Sequence, residues 1–250
     1  MRNDEGKPGI WREWNQTGDS LVLPRRPPRQ SLVDLAYEAV VEAIVDRRIG
    51  SGVRIGIDAL AARLDMSATP VREALARASA KGLVVQESNR GFIVAPFLSP
   101  DEYGDLWDTR RLLELHSLEQ ARVDDASVAR LSAIIARMPS MDHGPVYRGF
   151  REFSEADREF HHTLVAMASN TFLVRAWDDL HFHLHVGRIY AGQGLIDFHD
   201  ALREHDAIVG LLRARDISSA VQELARHIDG ARARLTPLIE QTESDAAGAA

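Results

Sequence analysis

The stretch Ser67-Ala-Thr-Pro-Val-Arg-Glu-Ala-Leu75 decides the fold of the first part of this 250-residue chain. Its spacing predicts a helix that opens at Thr69-Pro70, where a hydroxyl residue caps the first turn and the missing proline N–H costs little. Apolar residues recur at helical spacing to about Lys81, so Arg72 lies on the outward face. A polar turn precedes this helix, so the segment is predicted to form a turn followed by a short amphipathic helix.

Helical spacing also marks two helices upstream, one from 31 to about 50 and one from 57 to 64. Downstream, two short β-strands over 83–86 and 91–94 flank the polar turn 87–90. Three helices followed by a β-hairpin form a winged helix-turn-helix, whose third helix enters the major groove of DNA.

Beyond a short linker bracketed by Pro96 and Pro100, the rest of the chain has helical spacing without strand-like alternation. The sequence therefore predicts a mainly α protein, in which an N-terminal winged helix-turn-helix is followed by an all-helical antiparallel bundle. The bundle helices are predicted near 101–122, 124–137, 149–168, 171–190, 198–214 and 216–240. The predicted division of the chain is a flexible leader at 1–29, a DNA-binding domain at 30–98, a helical domain at 99–240 and a frayed tail at 241–250.

Composition predicts a cytoplasmic protein, because no apolar run approaches the ~20 residues of a membrane span and the N-terminus lacks the pattern of a secretion signal. The net charge of −7 arises in residues 99–250, which carry 16 basic and 25 acidic groups, whereas residues 30–98 carry 8 of each. A neutral DNA-binding domain can still present a basic face. Since the chain has no cysteine, a metal site must be built from imidazole and carboxylate.

The leader ends in the extended run Leu23-Pro-Arg-Arg-Pro-Pro-Arg29. Its arginines form either a basic arm that reaches DNA or a solvated tail, and the sequence leaves both readings open.

Five residues of the winged domain are candidates to contact DNA. Polar side chains at the start of a recognition helix meet base edges and phosphates, and an arginine at the tip of the wing reaches phosphate or the minor groove. A glycine beside that arginine lets the hairpin turn sharply. The candidates are Ser67, Thr69, Arg72, Arg90 and Gly91. Taken singly, each also fits an ordinary role as a helix cap, turn residue or surface charge.

Four side chains on three predicted helices outline a metal site at separations of 4, 44 and 22 residues: Asp157, His161, His205 and His227. The first two lie one helical turn apart and leave the same helix face. Three imidazoles with one carboxylate suit zinc, nickel, iron or manganese, and leave coordination positions for a ligand oxygen. A single buried histidine is more often a hydrogen-bonding residue than a ligand. Five further histidines lack this pairing, and whether they line the same pocket stays open: His162, His181, His183, His185 and His199.

The order of motifs in residues 32–95 resembles the GntR family of bacterial transcription regulators. The matching positions are Leu60-Ala61, Leu64, Ser67, Pro70-Val-Arg-Glu-Ala-Leu75, Gly82-Leu-Val84 and Arg90-Gly91. Three positions depart from the family pattern. Ala68 stands where the family usually has a DNA-contacting arginine, Asp58 stands where a basic residue is frequent, and Asp65 replaces the turn glycine. Because of these departures, the operator sequence does not follow from the family pattern. Arg72 remains the principal expected contact with DNA.

Residues 101–240 resemble the FCD ligand-binding domain of the FadR-like branch of that family. The matching residues are Asp157-x-x-Phe160-His161-x-x-Leu164, Asn170, Glu204-His205-x-x-Ile208, Asp216, Ala220 and His227. In metal-binding members an aspartate and three histidines hold the ion, and these correspond to the four residues named above. The resemblance also implies that Arg110, within Arg110-Arg-Leu-Leu-Glu114, faces the effector cavity. A surface arginine paired within its own helix is the alternative.

The leading hypothesis is a homodimeric transcription regulator that binds operator DNA and a small carboxylate. The resemblance to the family implies that it is a repressor. Zinc is the favoured metal; it would take one or two ligand oxygens, and Arg110 the remaining charge. A second hypothesis is a metal-dependent hydrolase or lyase fused to a degenerate DNA-binding domain, in which Glu204 is a carboxylate adjacent to the predicted ligand His205. A third is a purely structural ion that pins three helices together.

Overall fold

The computed structural model describes residues 31–88, 91–96, 98–141, 147–190 and 198–248, with backbone alone for 148, 181–190 and 238–248. The predicted leader lies outside these ranges. The helices are α1 (Leu32–Val45), α2 (Ile57–Leu64), α3 (Ala68–Ala80), α4 (Pro100–Glu119), α5 (Asp125–Arg137), α6 (Tyr147–Ala166), α7 (Thr171–Tyr190), α8 (Phe198–Arg213) and α9 (Ile217–Gly248), with a 3-10 turn at Met138–Ser140. The strands are β1 (Arg54–Ile55), β2 (Val84–Glu87) and β3 (Gly91–Val94).

The N-terminal domain is a winged helix-turn-helix in which α1 packs against α3. Val71, Ala74 and Leu75 on α3 are fully buried, so the apolar face predicted from the sequence holds this helix against the core. The strands form an antiparallel sheet of order β1-β3-β2, with Val84 opposite Val94 and Arg54 opposite Ile93. Strand β1 was absent from the prediction, because two residues are too few to show an alternating pattern.

The start of α3 differs from the prediction. The helix begins at Ala68 with Ser67 as its N-cap, so Pro70 occupies the third helical position and Thr69 is not the cap. Proline is tolerated there because the first-turn N–H groups have no partner inside the helix. Before it, Asp65 closes α2 in the left-handed conformation at φ 53°. Aspartate tolerates that conformation, which explains how it replaces the usual turn glycine.

The C-terminal domain is a helical bundle in which α4 packs on α6, α7 and α9, while α8 packs on α5 and α9. Helix α4 starts sharply, since Ser99 and Glu102 form a capping box and Pro100 occupies the first helical position. None of the described residues beyond this point lies in a strand. None of the helices in the described ranges has the length and apolar character needed to cross a bilayer.

The predicted frayed tail is largely wrong, because α9 continues past position 240 to Gly248. The segment 238–247 contains neither glycine nor proline and is rich in Glu, Gln and Ala, which sustain a helix that the bundle has already nucleated.

The two domains meet where α1 contacts α6 and α7. The backbone N–H of Tyr147, the first residue of α6, donates to Asp46 Oδ1 at 2.9 Å. One turn later, Arg151 Nη1 lies 2.9 Å from Glu38 Oε2 on α1. The start of α6 is therefore tied by polar contacts to α1, at Glu38, and to Asp46, the residue that follows this helix.

Candidate functional site

Three histidines from three helices meet in the core of the bundle. His161 comes from α6, His205 from α8 and His227 from α9, and all three are fully buried. One nitrogen of each lies within 4.8 Å of those of the other two. The rings of His161 and His227 are stacked with centroids 5.1 Å apart. Helices remote in sequence thus supply the imidazole cluster that the spacing of the sequence predicted.

Asp157 lies one helical turn before His161 and is also buried. Its Oδ1 atom lies 3.8 Å from His161 Nε2 and 3.6 Å from His205 Nε2. The structure therefore brings the whole predicted quartet to one point, with the carboxylate on the side of His161 and His205.

Two glutamates hold the outer nitrogens of two of these histidines. Glu114 Oε2 lies 2.9 Å from His161 Nδ1, and Glu204 Oε2 lies 2.7 Å from His227 Nδ1. An ionised carboxylate only accepts hydrogen bonds, so the neutral form of each ring carries its proton on Nδ1. Both Nε2 atoms then present lone pairs to the centre of the cluster, where they lie 3.2 Å apart.

The electrostatics favour this protonation pattern. Burial lowers the pKa of His227 from 6.5 to about 4; the hydrogen bond to Glu204 opposes that shift, and the nearby His161 and Arg110 add to it. Burial alone would raise the pKa of Glu204, but hydrogen bonds from His227 and Arg234 more than offset this and lower it. His227 is therefore neutral and Glu204 ionised near pH 7.

Glu114 is the centre of a buried polar network. Its Oε1 atom accepts from Arg110 Nε and from Trp177 Nε1, each at 2.8 Å, while Oε2 faces His161. Burial alone would raise the pKa of this carboxyl, but the charge of Arg110 and the hydrogen bonds from His161 and Trp177 hold it far below its ordinary value. Glu114 is thus a fully buried, ionised carboxylate.

Arg110 belongs to the same site and is only 2% exposed, so the surface-arginine alternative is wrong. Its pairing with Glu114 within α4 does occur, but in the core. Its Nη2 atom lies 3.0 Å from His161 Nε2, and its guanidinium carbon lies 5.0 Å from the ring centroid of Trp107. A cationic group therefore stands directly beside the histidine cluster.

The additional histidines take no part in this cluster as far as the structure describes them. His162 is partly exposed, with its Nε2 atom 3.7 Å from Asp178 Oδ2. His199 is exposed and its ring lies against Phe198. The side chains of His181, His183 and His185 lie outside the described residues.

The donor set fits a borderline divalent metal. Two nitrogens that each lie roughly 2.0–2.1 Å from a tetrahedral zinc ion are about 3.4 Å apart. The 3.2 Å between His161 Nε2 and His227 Nε2 is close to that separation. One carboxylate and three imidazoles also match the ligand types that zinc, nickel and manganese sites use.

The DNA-reading end of α3 is exposed as predicted. Ser67, Thr69 and Arg72 are all accessible, and the buried face lies opposite them. Gly91 begins β3 at φ +80°, a conformation that favours glycine at the edge of the wing. Arg90 lies outside the described residues, so the predicted contact at the wing tip stays a prediction.

A second arginine of α3, Arg77, has a different environment. Its Nη1 atom lies 2.9 Å from Asp34 Oδ1, and its guanidinium carbon lies 4.2 Å from the ring centroid of Tyr37. Both partners belong to α1, so this arginine joins two helices of the domain. Arg77 thus contacts α1, whereas Arg72 of the same helix is exposed.

Family models account for both domains. Residues 32–94 match the model described as bacterial regulatory proteins of the gntR family, and residues 105–230 match the FCD domain. The chain belongs to the GntR family of bacterial transcription regulators. The resemblance inferred from the motifs is confirmed, including an FCD domain consistent with the FadR-like branch.

Known relatives of this GntR regulator are regulators as well. The HTH-type transcriptional regulator BphR of Paraburkholderia xenovorans is 30% identical over 80% of this chain and 83% of its own. The gluconate operon transcriptional repressor of Bacillus licheniformis is 24% identical over 78% of this chain and 81% of its own. Families and relatives of this kind are transcription regulators and not enzymes, so the hypothesis of a hydrolase or lyase is set aside.

Solved structures share the fold of this GntR regulator. McbR/YncC of E. coli superposes with a TM-score of 0.62 at 19% identity, covering 82% of this chain and 97% of the other. A GntR-type regulator from Rhodococcus sp. RHA1 superposes with a TM-score of 0.60 at 21% identity, covering 81% and 96%. The mainly α architecture with an N-terminal winged helix-turn-helix is thereby confirmed.

Sequence reasoning missed the roles of two glutamates in this GntR regulator. In the sequence, Glu114 is part of the motif Arg110-Arg-Leu-Leu-Glu114 and Glu204 adjoins His205, and neither position predicts a contact with a histidine nitrogen. The structure instead turns Glu204 toward His227 Nδ1 and Arg234, away from the Nε2 centre. The available signal was the pairing of a glutamate with a basic residue one turn along α4, which by itself is common on helix surfaces.

Proposed function

We propose that this protein is a homodimeric, cytoplasmic repressor whose helical domain holds zinc and senses a small carboxylate. The observation that carries the proposal is the buried cluster of Asp157, His161, His205 and His227 beside Arg110, in a chain that also carries an exposed recognition helix. Zinc is the favoured metal, and nickel, iron and manganese are the alternatives, because all four take imidazole and carboxylate ligands. When bound, the ion would supply a Lewis-acidic position for a ligand oxygen.

Charge balance supports an anionic effector. The described groups around the site comprise three carboxylates, on Glu114, Asp157 and Glu204, and two guanidinium groups, on Arg110 and Arg234. Together with a dication they leave one unit of positive charge in the core of the bundle. A buried uncompensated charge is costly, so a ligand with one carboxylate would stabilise the loaded site.

Arg110 is the residue through which we expect the chain itself to bind that carboxylate. Its Nε donates to Glu114 and its Nη2 to His161, and a guanidinium has further N–H groups that can hold a carboxylate oxygen. One relative is named for a gluconate operon. A sugar acid such as gluconate is therefore the first compound to test.

Helix α6 offers the route from the effector domain to the DNA-binding domain. It carries Asp157 and His161 near its C-terminal end and is tied at its start to α1 through Tyr147 and Arg151. A shift of α6 on ligand binding would move α1, against which the recognition helix packs. In a dimer that reads two half-sites, a small change of this kind weakens operator binding.

A structural role is the second candidate for the ion, because a metal bound to this cluster would join three helices. The two candidates differ in outcome. A sensing site changes DNA affinity when the carboxylate is added, whereas a structural ion changes only the stability of the fold.

The test begins with metal content, measured by mass spectrometry on protein purified without an affinity tag or added metal. The operator is then selected from random-sequence duplexes, and its Kd is measured with zinc-loaded protein in the absence and presence of gluconate and other carboxylates. Near-stoichiometric metal and a carboxylate-dependent rise in Kd are expected. Protein that selects no DNA sequence would overturn the regulatory proposal, and metal at background level would overturn the metal site.

A further inference from the structure

We infer that Glu114 is a positioning residue that fixes His161 for the metal and Arg110 for the anion, so that one carboxylate couples the two halves of the site. The inference rests on the proposed function for the roles of metal and anion. Its geometric basis is independent of them: Oε1 accepts from Arg110 Nε at 2.8 Å and Oε2 faces His161 Nδ1 at 2.9 Å.

The two oxygens of Glu114 have separate tasks. Oε2 selects the protonation pattern of His161, because an acceptor at Nδ1 places the ring proton there and leaves Nε2 as a lone pair. Oε1 holds Arg110 and is itself fixed by Trp177 Nε1 at 2.8 Å. Because Trp177 is fully buried, the carboxylate has a rigid support on α7. The Glu114 carboxylate therefore orients both His161 and Arg110, and Trp177 restricts its movement.

Glutamine at position 114 has the same shape and only one accepting oxygen. Two donors face Oε1 and one faces Oε2, so the amide oxygen is best placed at Oε1 and the NH₂ group at Oε2. An NH₂ group facing His161 Nδ1 requires a lone pair on that nitrogen. The proton of His161 then moves to Nε2 and points into the centre of the cluster, where a metal ligand cannot carry it.

Glu204 provides a matched comparison within the same chain. It holds His227 Nδ1 at 2.7 Å as Glu114 holds His161 Nδ1. The arginine that Glu204 contacts is Arg234, whereas the arginine that Glu114 contacts is Arg110. Glu204→Gln should therefore disturb the metal half of the site alone. Glu114→Gln should disturb both halves, because a neutral amide oxygen at the Oε1 position replaces the charge-assisted hydrogen bond from Arg110 Nε with a weaker one.

The experiment uses the full chain as wild type, Glu114→Gln, Glu114→Asp and Glu204→Gln. Zinc Kd is measured by competition with a chromophoric chelator, and histidine tautomers by long-range ¹H–¹⁵N NMR on metal-free protein. The Arg110 Nε–H resonance is followed for exchange with water. We expect both glutamine variants to lose about 10- to 100-fold in zinc affinity. Only Glu114→Gln should show His161 protonated on Nε2 and an Arg110 Nε–H that exchanges faster than in the wild type, because its hydrogen bond is weakened. Glu114→Asp should recover part of the affinity.

The outcomes separate this inference from the proposed function. Glu114→Gln with wild-type zinc affinity, an unchanged His161 tautomer and a protected Arg110 Nε–H would overturn the inference and leave the regulator intact. Wild-type protein that binds no zinc would overturn the metal site and the metal half of the inference together. Equal losses of Arg110 protection in Glu114→Gln and Glu204→Gln would show a general loosening of the core and would also overturn it.

Discussion

His161 and His227 present their Nε2 atoms to each other at 3.2 Å, although 66 residues separate them in the chain. Each ring is held from behind by a glutamate, at 2.9 Å for His161 and 2.7 Å for His227. Two lone pairs that face each other across this distance repel, so the arrangement is stabilised by a cation between them or by a donor such as Arg110 Nη2. This relationship underlies the predictions about metal and pH.

Metal removal is expected to lower thermal stability. Free zinc at 100 times its Kd stabilises a folded protein that binds it by ~2.7 kcal/mol, which corresponds to a rise in Tm of roughly 5–10 °C for a chain of this size. His205→Ala should abolish that rise in a calorimetric comparison with and without chelator. His162→Ala, next to a cluster member but partly exposed, should keep it. An equal zinc effect in wild type and His205→Ala would contradict the predicted site.

The stability of the metal-free protein should fall on acidification between pH 6.5 and about pH 4. The pKa of His227 is lowered from 6.5 to about 4 in the folded protein, so the unfolded chain binds the proton first. Stability from this group is complete above pH 6.5 and is lost progressively below it, up to about 3 kcal/mol. Urea denaturation of wild type and His227→Asn across this range measures it. Parallel pH dependences in the two proteins would exclude His227 as the cause.

Arg72 should contribute to DNA binding far more than Arg77. Arg72 is exposed on the outward face of the recognition helix, whereas Arg77 pairs with Asp34 of α1. Losing one arginine contact to a base costs about 1–3 kcal/mol, so Arg72→Ala should raise the Kd for the selected operator by roughly 5- to 150-fold. Arg77→Ala is the control on the same helix, and fluorescence anisotropy at fixed salt measures both. Comparable losses in the two variants would point to a general effect of charge on phosphate attraction.

Arg151 should carry part of the coupling between the two domains. Its contact with Glu38 links α6 to α1 and is partly exposed, so it is worth at most about 1 kcal/mol, or roughly a fivefold effect. In zinc-loaded Arg151→Ala, the ratio of operator Kd values with and without the carboxylate that raises the wild-type Kd should move toward one. Zinc affinity itself should not change.

Arg158 offers the control for this prediction, because it lies on the same helix and pairs with Asp178 of α7 at 3.2 Å. Arg158→Ala should keep the wild-type ratio of Kd values. A ratio that is unchanged in Arg151→Ala, or changed equally in both variants, would show that the contact between α1 and α6 does not transmit the signal.

Much of the fold followed from local pattern. Periodicity marked the bundle helices near their observed bounds, except at the end of α9, because a helix buries one face and that face recurs every three to four residues. Capping chemistry was less decisive: Ser67 and Thr69 both suit an N-cap, and only the tertiary structure shows that α3 begins at Ala68. Strand β1 was not predicted, because its two residues show no pattern of their own and form a strand only by pairing with β3.

The sequence by itself determined the order of the two domains, the outward placement of Arg72 and the identity of the four clustered side chains, because helical periodicity and chain order are local properties. Only the tertiary structure decided that Arg110 is buried beside His161 and that Glu114 and Glu204 hold the histidines from behind. A glutamate one turn from an arginine looks the same in sequence on a helix surface and in a core. What distinguishes them is the packing of α4 against α6, α7 and α9, which removes water and makes each buried charge depend on its partners.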